Sequence, residues 1–122
     1  MSESIIQNET FSNLLNDLQL SDYAVSANAQ ALLDVDAKYI RDLKINVGNV
    51  LNNTQYLNKK EALLLALAVA VNEKHTALSE SFSRQALEAG ANEGELAEIV
   101  ACTSLMNTNN IFYRFRHFTN KE

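Results

Sequence analysis

Proline is absent from this chain and glycine occurs only three times in 122 residues. Each proline in a helix interior would cost about 3 kcal/mol and each glycine about 1 kcal/mol. A chain nearly free of both, and rich in Leu, Ala, Asn and Glu, favours long helices over turn-rich β-structure. Cysteine is just as scarce. The single Cys102 excludes an intrachain disulfide and any cysteine cluster for a metal, and a reducing, cytoplasmic setting is the default expectation. Basic residues are outnumbered by acidic ones, and the net charge of −5 argues against a nucleic-acid partner. The opening MSESIIQNETF has neither a basic start nor an apolar stretch, so no secretory signal is expected. The two histidines, His75 and His117, lie far apart in the chain and offer no ligand spacing, so no metal and no cofactor is expected. A Gly-x-Ser-x-Gly elbow for serine chemistry is also missing.

What the chain does have is one long apolar run. Ala62 to Val71 is ten residues of leucine, alanine and valine without a polar interruption. About 20 would be needed to cross a bilayer, so no membrane partner is expected. A helix that is apolar all round is buried on all sides. The run is therefore either the central helix of a bundle or a helix sandwiched between subunits. Asn58 followed three residues later by Glu61 forms a capping-box-like start for it.

The remaining pattern is helical throughout. Residues 1–9 are polar and expected to be flexible. Thr10 caps a short helix with Phe11, Leu14, Leu15 and Leu18 on one face. A weaker segment, Tyr23 to Val35, follows Ser21 and Asp22. From Asp36 the residues Tyr39, Ile40, Leu43, Val47 and Val50 share a face, with Lys38, Arg41, Asp42 and Lys44 opposite. After the apolar run, a helix over Thr76–Ala89 is expected to bury Leu78, Phe82, Ala86 and Ala89 and to stop at Gly90. Asn92 with Glu95 is a second capping-box-like start. The helix it opens runs to about Asn107, with Leu96, Ile99, Val100, Thr103 and Met106 on its stripe. Thr108-Asn109-Asn110 then reads as a hinge or a new cap before the aromatic-basic IFYRFRHF. Repeats and linkers are absent, so residues 1–122 read as a single all-α domain of about six helices in a compact bundle.

Three stretches carry a family likeness: ALAVAVNEKH, ALEAGANEGELAEIVACTSLM and NNIFYRFRHF. Together they resemble the alkylhydroperoxidase D family, within the carboxymuconolactone-decarboxylase-like fold. Upstream, DAKYIRDLKINVGNVLN resembles the lead-in helix of the longer members, so the likeness covers roughly Asp36 to Phe118. The longer members are built from two related halves, and this chain resembles the first. Their second half carries the redox motif: a glutamate, then Cys-x-x-Cys and a histidine. Setting Asn72 against the asparagine before that motif puts Lys74 and Ala77 in the cysteine positions and Ser81 in that of the histidine. None matches. Glu61 lies within one residue of the proton-relay glutamate. The resemblance implies peroxide reduction as the family's antioxidant activity and a homo-oligomer, as dimer, trimer or hexamer, as its working form. The small-molecule substrate stays unassigned.

Dithiol peroxide reduction needs a thiolate to attack the O–O bond and a second thiol close enough to resolve the sulfenic acid. With one cysteine, four residues remain as candidates. Cys102, between Ala101 and Thr103, reads first as a small core residue and second as a one-cysteine peroxidase recycled by an external thiol. His75, at a turn between helices, reads as a solvated turn residue, a capping group or a proton relay. Glu61 is explained by capping and, alternatively, by proton relay. His117, with Arg114 and Arg116, reads as a helix-end group pairing with carboxylates or as an anion-binding patch. Three functions stay open: an oxidoreductase by descent without its redox pair, a non-catalytic assembly domain or first half of a longer peroxidase, and a carboxymuconolactone-decarboxylase-like enzyme using His75, Glu61 or His117.

Overall fold

The structure is a computed structural model describing residues 2–20, 27–35 and 37–119. Among the described residues are six helices: α1 (Ser2–Asp17), α2 (Ala27–Val35), α3 (Ala37–Asn52), α4 (Lys59–Asn72), α5 (Thr76–Glu88) and α6 (Glu93–Thr119). No strand occurs among the described residues, so the all-α expectation is met. The chain divides into two compact units, residues 1–62 and 63–122.

In the first unit α1 packs on α2 and α3, and α2 on α3. Helix α1 starts at Ser2 rather than at Thr10, because nothing in residues 2–9 breaks a helix. Its buried anchor is Leu14. The buried positions of α3 are Ile40 and Leu51, with Leu43 and Val47 half-buried. Tyr39 and Val50, expected on the same face, are exposed. Residues 40, 43, 47 and 51 stay within one narrow stripe at 3.6 residues per turn, and Tyr39 and Val50 fall beside it. Lys44 pairs with Asp17 of α1 at 3.5 Å. Where α4 begins, the Lys59 Nζ donates to the Leu51 carbonyl at 3.2 Å and to Asn52 Oδ1, satisfying the open end of α3. Residues 21–26, including the start expected at Ser21 or Asp22, lie outside the described residues.

The second unit holds most of α4, with α5 and α6. Within the apolar run, Ala62, Leu63, Leu67 and Ala70 are buried, whereas Leu65 is 53% and Val69 64% exposed. The chain thus covers one side of α4. Helix α4 ends with the Lys74 amide donating to the Val71 carbonyl and the His75 amide to that of Ala70, each at 3.0 Å. This six-to-one closure places Lys74 in the left-handed region at φ 57°, where a side chain costs roughly 1–2 kcal/mol. Helix α5 closes in the same way, through the Ala91 amide to the Ala86 carbonyl at 2.9 Å. There the left-handed residue is Gly90, at φ 105°, as its place in the sequence suggests.

Helix α5 buries Phe82 and Ala86, and beside them Ser81 and Gln85. These two polar side chains are joined, the Gln85 amide donating to Ser81 Oγ at 3.0 Å. Helix α6 passes without a break through Thr108-Asn109-Asn110, where a hinge was expected. The Thr108 hydroxyl donates back to the Ser104 carbonyl at 2.9 Å, which satisfies it without opening the helix. At 27 residues, α6 is about 40 Å long at ~1.5 Å per residue.

Candidate functional site

Helix starts hold two of the four candidate residues. The Glu61 amide donates to Asn58 Oδ1 at 2.8 Å, and the Glu61 carboxylate accepts from the Asn58 amide at 3.0 Å. That is the reciprocal capping box the sequence suggested, with asparagine in the cap. Asn92 and Glu95 repeat it at the start of α6, at 2.8 Å and 3.3 Å.

His75 is the N-cap of α5, in an extended conformation, and its Nδ1 accepts from the Leu78 amide at 3.1 Å. Its carbonyl accepts from the Ser79 amide and from the Ser79 hydroxyl at 2.8 Å. Accepting at Nδ1 uses the lone pair there and leaves the ring proton on Nε2. The imidazole is half-buried rather than a solvated turn residue. Capping was one of the readings open for His75, although histidine is not among the common N-cap residues.

Cys102 corrects an expectation. It is exposed, not a core residue. The inward-facing position is its neighbour Thr103, whose hydroxyl donates to the Ile99 carbonyl at 2.8 Å. Adjacent residues on a helix point about 100° apart, so Thr103 inside puts Cys102 well round the helix. His117 falls in the last turn of α6, and its side chain lies outside the described residues, as do those of Tyr113 and Phe118. Arg114 and Arg116 are exposed.

The positions that the family likeness sets against the redox motif are now placed. Lys74 is the left-handed residue closing α4, Ala77 lies in the first turn of α5, and Ser81 is fully buried against Gln85.

The second unit also contains a cleft of about 320 Å³ between α4 and α6. Ala68, Val69 and Asn72 line one side, and Thr103, Met106, Asn107 and Asn110 the other. Among the described residues, Glu61, His75 and Cys102 do not line it. Its walls are apolar and its polar groups are amides and one hydroxyl, so it can hold a neutral group by shape and hydrogen bonds. Its described lining offers no group for nucleophilic or acid-base work. Of the asparagines of this cleft, Asn110 was expected in a hinge and Asn72 and Asn107 at helix ends, so nothing in the sequence set the three on one site.

Among the described residues no cluster of His, Cys, Asp and Glu is arranged to hold a metal. No helix among them is long and apolar enough to cross a membrane.

The chain is similar to proteins named alkyl hydroperoxide reductase AhpD. Over 90 residues it is 39% identical to that of Solibacter usitatus, a match covering 74% of this chain and 50% of the relative. Against that of Coxiella burnetii it is 38% identical over 81 residues, 65% of this chain and 45% of the relative. The Koribacter versatilis protein is 32% identical over 91 residues, 74% and 46%. The chain spans about half the length of the curated relatives it matches. No family model matches the chain. No solved structure matches it either.

Proposed function

We propose that this chain is an alkylhydroperoxidase D-like protein of the antioxidant family that corresponds to the half without the redox motif. By itself it does not carry out dithiol peroxide reduction, and it works as a self-assembling helical unit. The cysteine count supports this most directly. Dithiol reduction starts when a thiolate attacks the O–O bond, forming a sulfenic acid and releasing the alcohol. A second thiol then displaces water from the sulfenic acid to form a disulfide. This chain has one cysteine in 122 residues, so without an external thiol the reaction stops at the sulfenic acid. His75 and Glu61, the proton-relay candidates, each cap a helix start, which also weakens the decarboxylase-like alternative.

An exposed thiol still reacts once. With a hydroperoxide and an external thiol reductant, we expect no turnover beyond the reductant's own reaction with the peroxide; without reductant, the single thiol consumes about one equivalent in reaching the sulfenic acid. Cys102→Ser should abolish even that. Many turnovers in the wild type that vanish in Cys102→Ser would make Cys102 a catalytic residue and overturn the proposal.

Assembly is favoured by exposed apolar surface in the second unit. Leu65, Val69, Leu105, Met106, Phe112 and Phe115 are all more than half exposed, apolar surface of the kind that an interaction site presents. A homo-oligomer covers part of this surface, a dimer being the simplest form.

A further inference from the structure

The side of α6 that faces away from its own unit carries a second apolar pattern. Thr103 is buried, and the opposite side of the helix bears Glu98, Ala101, Leu105, Thr108, Phe112 and Phe115, all exposed. Their spacing alternates three and four residues. That is the a/d repeat of a helix-pairing seam, and Thr103 falls at the f position opposite to it. Leu105, Phe112 and Phe115 are 61%, 60% and 66% exposed.

Charge along α6 is also divided. Glu93, Glu95 and Glu98 lie at its start, Arg114 and Arg116 near its end. A helix with an acidic start, a basic end and one apolar seam is complementary to itself when reversed. We propose that the exposed seam of α6 is the interface on which a second copy of this chain docks, its α6 running antiparallel. This rests on the assembly reading above and specifies which surface is used.

With a two-fold axis between residues 106 and 107, Ala101 lies opposite Phe112 of the second copy, and Leu105 opposite Thr108. Each large side chain meets a small one, as interdigitated packing requires. Glu98 lies opposite Phe115, between the arginines at 114 and 116 of the second copy, and Glu95 comes beside that same Arg116. A parallel pair would instead stack arginine on arginine and Phe112 on Phe112. It would also align the two helix dipoles, whereas the antiparallel pair opposes them. Opposite charges at both ends fix direction and register more than they add affinity. Cys102 and Asn109 flank the seam on one side, and antiparallel pairing brings Cys102 of one copy near Asn109 of the other.

Light scattering and sedimentation of the full chain test this at micromolar concentration. The wild type should have the mass of a dimer. Leu105→Asp and Phe112→Asp should each weaken self-association roughly tenfold or more, as loss of a central anchor does, with helix content and melting of the chain retained. Glu98→Arg should weaken it as well, and adding Arg116→Glu should restore it. Asn109→Cys should give a disulfide-linked dimer with the native Cys102 under mild oxidation, and Cys102→Ser/Asn109→Cys should not. A wild-type monomer would overturn the assembly reading and the seam with it. A wild-type oligomer unaffected by Leu105→Asp and Phe112→Asp would overturn the seam alone. Cross-linking of wild-type Cys102 to its own copy, without Asn109→Cys, would overturn the antiparallel direction.

Discussion

Helices α3 and α4 are close in length, 16 and 14 residues, and are patterned in opposite ways. In α3 charged residues alternate with apolar ones, so the polar side marks solvent and the remainder marks the core. Ile40 and Leu51 are buried and Lys38, Arg41 and Asp42 exposed. Helix α4 has no such mark between Ala62 and Val71. Yet the structure gives it two unequal sides, with Leu67 1% and Leu65 53% exposed. A polar residue can sit on only one side of a helix at low cost, while an apolar one sits on either. Hydrophobicity alone therefore places a helix in the protein but does not orient it.

Substitutions can break this contrast, and the largest effect is expected within α4. Leu67→Asp puts an unpaired charge into the core, at a cost of several kcal/mol, comparable with a total stability of about 5–15 kcal/mol. The chain should lose its cooperative melting transition by circular dichroism. Leu65→Asp, two residues away in the same apolar run, should leave melting of the chain within a few degrees of wild type. Equal effects at the two positions would mean that α4 is not sided as described.

A smaller difference separates two positions of α3. Ile40→Ala removes a buried side chain and should destabilise by about 2–5 kcal/mol. Val50→Ala, on the exposed flank, should fall within about 0.5 kcal/mol. Urea unfolding midpoints measure both, and a large cost at Val50 would return it to the core face. The smallest expected effect is at the start of α4, where Asn58→Ala removes one side of the capping box and should cost about 1 kcal/mol. A loss indistinguishable from zero in the same unfolding assay would mean that the Asn58 side chain does not cap α4 in solution.

Local features were the legible ones. The capping boxes at Asn58–Glu61 and Asn92–Glu95 and the stop at Gly90 all appear where their spacing places them. Each depends on atoms within five residues of one another. Other closures were just as local but chemically disguised. Gln19 and Lys74 take left-handed positions at φ 54° and 57° that sequence patterns reserve for glycine or asparagine. His75, for which a cap was one of three readings, caps α5 with a ring nitrogen in place of the usual side-chain oxygen. The unbroken α6 was obscured by Thr108-Asn109-Asn110, whose weak helix propensity is outweighed by the absence of any glycine or proline between Gly94 and Thr119.

The sequence by itself determined that the chain is helical, where most of its helices begin, and that one cysteine cannot complete a dithiol cycle. Those outcomes follow from backbone propensity, short-range hydrogen bonds and atom balance, none of which needs a neighbour distant in the chain. Tertiary structure alone decided that Leu65 and Val69 face out while Leu63 and Leu67 face in. It also decided that Cys102 is exposed beside a buried Thr103, and that Asn72, Asn107 and Asn110 line one cleft. Burial is a property of what lies opposite a side chain, and in a run of equally apolar residues only the packed neighbour can select which side it covers.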